Sequence, residues 1–178
     1  MYKNIFTLLL LAGFTSANAQ VIIGDAAGTA TDKTSVLLEF AHKIGENKGI
    51  IVPYVRTMPA TPTERTILLD ATTGTTARMK YFNGSWKDLS GQDGIVTAAL
   101  ANQPTGITET GKSIIGATSS SADGVLVLES NTKAMVLPTV TDVQLIPSPS
   151  AGMMVYVNKT GVKRLAVFNG TKWSFWKP

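Results

Sequence analysis

The chain has 178 residues, no cysteine, one histidine, and a formal net charge of +4 from 16 basic and 12 acidic side chains. The missing cysteines exclude a disulfide-stapled scaffold. The basic residues are scattered, with Lys163-Arg164 the sole doublet, which excludes the basic stripe of a nucleic-acid binder. This length makes one ordinary domain or two small ones.

Residues 1–19 read as a signal peptide. Lys3 gives a positive start, Ile5 to Phe14 an apolar run, and Ala17-Asn18-Ala19 a small-residue cleavage site. A spanning helix needs about 20 predominantly apolar residues, so the run is too short for an anchor. No later stretch is long enough to give the mature chain a transmembrane segment. The expected location is therefore extracellular, at the cell surface or periplasmic.

After the signal come residues 20–35, small, polar and without period, an extended lead-in. A pattern then occurs twice. Val36-Leu37-Leu38-Glu39 leads through Lys48-Gly49-Ile50-Ile51-Val52-Pro53 to Phe82-Asn83-Gly84-Ser85-Trp86. Val125-Leu126-Val127-Leu128-Glu129 leads through Lys133-Ala134-Met135-Val136-Leu137-Pro138 to Phe168-Asn169-Gly170-Thr171-Lys172-Trp173. An internal repeat is the signature of units that stack or assemble. The boundaries are a first module at 36–89, a Gly/Ser-rich connector at 90–123 and a second module at 124–178. Within the connector, Ile95 to Leu100 and Ser113-Ile114-Ile115 each have the makings of a short strand. Each module alone is of a size at which a core is marginal. That favours packing of the copies on each other, or oligomerisation.

Inside each module the hydrophobic period is two. Met79 and Tyr81 share one face of a strand, as do Leu165 and Val167. Asn-Gly follows both strands, a signal for a type I′ hairpin in which Asn and Gly accept positive φ. Thr72-Thr73-Gly74 and Asn158 to Gly161 mark an earlier turn in each copy. The unit is a strand, a proline-containing crossing and a three-stranded meander. Thr141 to Ile146 predicts a helical turn capped by Thr141 in the second crossing. Pro59 and Pro62 argue against a long helix in the first. The fold class is all-β: two small β-meander or hairpin modules with short irregular crossings and an extended connector.

The stretch from Leu126 to Trp173 resembles a tail-fibre-like module of exported surface proteins of Bacteroidetes-type bacteria. The matching pieces are Lys133 to Pro138, Ser148-Pro149-Ser150-Ala151-Gly152 to Tyr156, and Phe168 to Trp173. The first copy matches more loosely, through Pro53, Arg56, Thr57 and Phe82 to Trp86. Pro138-Thr139-Val140-Thr141 departs from the module's Pro-Arg-Met-Thr, and the long repetitive shaft of a tail fibre is missing. Both departures favour a small host-encoded surface protein. The resemblance implies a β-rich, non-catalytic surface or fibre-like element, a homo-oligomer and by analogy a trimer.

Candidate chemistry is sparse. His42 has no partner at a catalytic or metal-ligand spacing. Asp70 and Asp88 are placed to approach each other across the first meander, as glycosidase carboxylates must, yet the second copy has Tyr156 near the Asp70 position and nothing for Asp88. Asn83, Asn158 and Asn169 open glycosylation triplets, but turn geometry explains them better. No cofactor or metal is expected. The aromatics Trp86, Trp173, Trp176 and Tyr156 are the candidate ligand-binding residues. They either pack across their hairpins or present faces to sugar rings, with Trp176 near the end of the chain.

These residues give three alternatives. The preferred one is a secreted, non-catalytic, tail-fibre-like surface protein for adhesion or extracellular assembly. A carbohydrate-binding module using the meander aromatics, with a surface glycan or cell-envelope protein as partner, is the second. A secreted hydrolase is the third. N-terminal sequencing of the exported protein is expected to start at Gln20; a start at Met1 contradicts the signal reading.

Overall fold

The computed structural model describes residues 20–25, 27–41, 47–104 and 111–176. The signal segment and His42 lie outside them. In chain order the described elements begin with β1 (Val21–Ile23), β2 (Val36–Phe40), β3 (Ile50–Ile51) and β4 (Tyr54–Val55). Next come β5 (Ile67–Asp70), β6 (Arg78–Phe82), β7 (Trp86–Asp88) and the short helix α1 (Thr97–Ala101). Then follow β8 (Ser113–Ile115), β9 (Leu126–Leu128), β10 (Ala134–Val136) and β11 (Thr139–Val140). A 3-10 turn at Val143–Leu145 precedes β12 (Met153–Val157), β13 (Arg164–Phe168) and β14 (Trp173–Trp176). The fold is nearly all β, as expected.

Two sheets share one plan. In the first, β5, β6 and β7 form an antiparallel meander and β4 lies parallel to β5. In the second, β12, β13 and β14 form the meander and β11 lies parallel to β12. Even the register agrees. Tyr54 and Val55 face Leu69 and Asp70; Thr139 and Val140 face Tyr156 and Val157. The carbonyls of Pro53 and Pro138 accept the N–H of Leu69 and Tyr156 at 3.0 and 2.8 Å. Arg65 and Gly152, with φ of 74° and 73°, donate their N–H to the carbonyls of Phe82 and Phe168. Tyr156 thus takes the place of Leu69, and Val157 takes that of Asp70.

The two parts of the chain exchange strands. β3, from the first, pairs antiparallel with the start of β12, Ile50 with Met154 and Ile51 with Met153. β10, from the second, pairs parallel with β2, whose other edge carries β1. The main core follows from this exchange. Leu69, Ala71, Met79 and Leu89 of the first meander and its flanks pack with Met154 and Val167 of the second. A second core, with Val140, Val155 and Phe168, lies on the opposite side of the β12–β13 pair, as the alternation of strand side chains requires.

Besides β1, a strand inside the lead-in read as without period, local readings differ from the structure in three places. The stretch from Ile95 to Leu100 enters α1 rather than a strand, and its Val96 is buried in the main core. The turn before Ile146 is 3-10 and is capped by the Asp142 carboxylate, which accepts the Gln144 N–H at 3.1 Å. Thr141 is not the cap. The hairpin turns contain Asn83-Gly84-Ser85 and Asn169 to Lys172, and in each only the glycine has positive φ. Asn169 instead acts through its side chain. Fully buried, it accepts the N–H groups of Thr171 and Lys172 at 3.0 and 2.9 Å and donates to the Gln92 carbonyl at 2.8 Å.

The lead-in is tied down by one carboxylate. Glu39, on β2, has no solvent exposure. It accepts the Ala30 N–H at 2.6 Å, the Thr29 N–H, the Thr29 hydroxyl at 3.1 Å and the Lys33 ammonium at 2.8 Å. Burial alone would raise its pKa, but the Lys33 ammonium and these N–H donors outweigh burial and hold it at about 2, against an ordinary 4.5. A depressed carboxylate stabilises the fold fully above its unfolded pKa and loses that contribution as pH falls through the folded value. The Glu39 contribution therefore disappears between pH 4.5 and about 2. Glu39→Gln is expected to cost about 1–3 kcal/mol at neutral pH and to flatten the stability profile across that window, measured by thermal melts at successive pH values. An unchanged profile would show that Glu39 does not hold the lead-in.

Candidate functional site

A groove of about 550 Å³ lies between the two meanders. Ile67 and Tyr81 line it from the first meander, Met154, Leu165 and Trp176 from the second. Glu64, Arg65 and Asn83 supply its polar lining. A mostly apolar cleft with a few polar groups is the usual form of a ligand site.

Trp176 is fixed rather than free, though it is 45% exposed. Its indole N–H donates to the Leu89 carbonyl at 2.8 Å. The segment after β7 is stitched to β14 and its turn nearby: the Ser174 hydroxyl donates to the Ser90 carbonyl, and the Ile95 N–H donates to the Thr171 hydroxyl at 2.8 Å. Glu64 is likewise held, accepting the Gly84 N–H at 2.8 Å.

The four aromatic candidates do not converge. Trp86 packs edge-on against Phe82, its cross-strand partner, at 5.3 Å and 63°. Trp173 packs against its cross-strand partner Phe168 in a tilted arrangement, at 5.2 Å and 45°. Both are half-buried hairpin contacts of the kind that stabilise strand pairs. Tyr156 borders a different, smaller hollow of about 260 Å³ with Met135, Val136, Leu137 and Thr139. Trp176 alone of the four lines the main groove.

The carboxylates are engaged with cations. Asp70 holds Lys80 at 2.7 Å, and Asp88 holds Arg78 at 2.5 Å. Burial opposes ionisation of Asp70, but the Lys80 ammonium and the Thr72 donors overcome it, so its pKa lies below the ordinary value. A general acid would require the reverse shift. Arg164, which occupies the Arg78 place in the second meander, makes no ion pair among the described residues and stacks on Phe175, 4.1 Å from the ring centre. Among the described residues no group of three or more His, Asp or Glu side chains is arranged to hold a metal.

Glu39 and Asn169 are structural anchors that pattern reading passed over. A signal existed for the first: Val36 to Glu39 and Val125 to Glu129 both end an apolar run on an acid, and Glu129 also takes a hydroxyl, that of Ser120. Asn169 was legible only as a turn residue.

Trp173→Ala is expected to lower stability by about 1–3 kcal/mol, less than full removal of a buried aromatic because the ring is only half-buried. Trp176→Ala should cost less than Trp173→Ala, since its ring is more exposed. Urea titrations of both variants decide this, and a neutral Trp173→Ala would mean the ring is free for a ligand.

Residues 114–177, from the second residue of β8 to just past β14, match the family model described as a phage tail like trimerisation region. No curated protein and no solved structure matches the chain. Over this segment the chain is similar to a tail-fibre-like trimerisation module, and the match supports a homo-oligomer.

Proposed function

We propose that the protein is an exported, non-catalytic, tail-fibre-like element that works as a homotrimer in surface adhesion or extracellular assembly. The trimerisation-region match over 114–177 carries this reading. The shared strand order and register of the two sheets support a duplicated unit, one copy at 36–89 and one at 124–178. Supporting a structural role, Asp70 and Asp88 are committed to ion pairs.

A second reading has one observation in its favour. Trp176 presents a fixed, half-exposed ring to an apolar groove, the arrangement a sugar face would use. On that reading Trp176→Ala abolishes glycan retention on an array while the melting curve is preserved.

Sedimentation of residues 20–178 at micromolar concentration tests the preferred reading. A mass of three chains is expected, and a compact monomer would contradict it.

A further inference from the structure

The strand exchange within the chain leaves matching places empty at both ends. β2 carries β1 on one edge and β10 on the other. Its counterpart β9 carries β8 in parallel, and among the described residues nothing lies on its other edge. The Val125 carbonyl and the Glu129 N–H bond to β8. Backbone groups of alternate residues face opposite edges, so those of Leu126 and Leu128 face the vacant one.

Burial records the same vacancy. Val36 and Leu38 are 3% and 0% exposed, whereas Leu126, at the Val36 place, is 47% exposed. The strand that fills this place on β2 comes from Lys133-Ala134-Met135-Val136-Leu137-Pro138. The one other segment of that pattern is Lys48-Gly49-Ile50-Ile51-Val52-Pro53. It forms β3, which has β12 on one edge and no described strand on the other, and its Ile51 is 50% exposed.

The converse place is empty as well. β3 sits on β12 beside Met153 and Met154. The matching place on β5, beside Thr66 and Ile67, has no described strand, and the aromatic groove opens there at Ile67. β10, the counterpart of β3, has an outer edge to offer.

We infer that a second copy of this chain fills both places, head to tail: its β3 lies parallel along β9, and β10 lies antiparallel along its β5. Each apolar strand would then be held on both edges, as the exchange inside one chain already half accomplishes. The registers carry over from the internal pairs. Met135 faces Leu38, so Ile50 of the second copy faces Leu128; Ile50 faces Met154, so Met135 faces Ile67 of the second copy. Such a contact joins unlike surfaces and closes as a ring if the rotation per copy permits. Closure at three copies rests on the trimer reading above.

The cysteine-free sequence makes the test direct. Ile50→Cys and Leu128→Cys in one chain, oxidised and run on a non-reducing gel, should give covalent trimers, while either single variant gives none. Leu126→Glu should abolish the trimer at micromolar concentration in light scattering, while Leu145→Glu, somewhat more exposed and away from these edges, retains it. If Leu126→Glu fails to fold by circular dichroism, the cross-link decides. A trimeric wild type with no cross-link in the double variant overturns this contact and leaves the trimer reading standing. Bands beyond three copies overturn the closed ring. A monomeric wild type removes both.

Discussion

Everything in this structure depends on one backbone constraint: each part of the chain lends an apolar strand to a sheet of the other. β3 completes the edge of β12, and β10 completes the edge of β2. A strand edge left open carries unpaired amides and carbonyls and invites association. The exchange closes two such edges at once, and it brings Met154 and Val167 against Leu69 and Met79. Without disulfides, a module of this size has little core of its own. The shared core is what a small, β-rich chain gains from crossing its strands.

The same constraint explains why pattern reading succeeded where it did. Alternation in Arg78 to Phe82 and in Lys163 to Phe168 reports a local property, the two faces of a half-buried strand. Both meanders were legible from it, as were their turns. Strand exchange was not legible, because Lys48 to Pro53 and Lys133 to Pro138 read as apolar runs with no mark of which neighbour they serve. β1 was lost for a related reason: three apolar residues in a small, polar lead-in give no period, and their order comes from parallel pairing with β2. In Ile95 to Leu100, tertiary packing of Val96 beneath the second hairpin overrode an apparent strand.

At the candidate site the residue types were legible but their grouping was not. Phe and Trp flanking Asn-Gly predicted cross-strand packing, and the two ring pairs show it. That Trp176 alone faces the groove depends on the meanders meeting through the main core, which no local window contains. Asn169 shows the same limit. Its turn was evident, but its buried amide bonds to Gln92, far away in the sequence.

Native-state hydrogen exchange in rising urea tests the central claim, that exchanged strands make one cooperative body. Amides of β6 and β13, at the centres of the two meanders, are predicted to open together at one free energy with a common urea dependence. Protection persisting in β13 after β6 has opened would show that the second sheet stands alone, and would contradict the account.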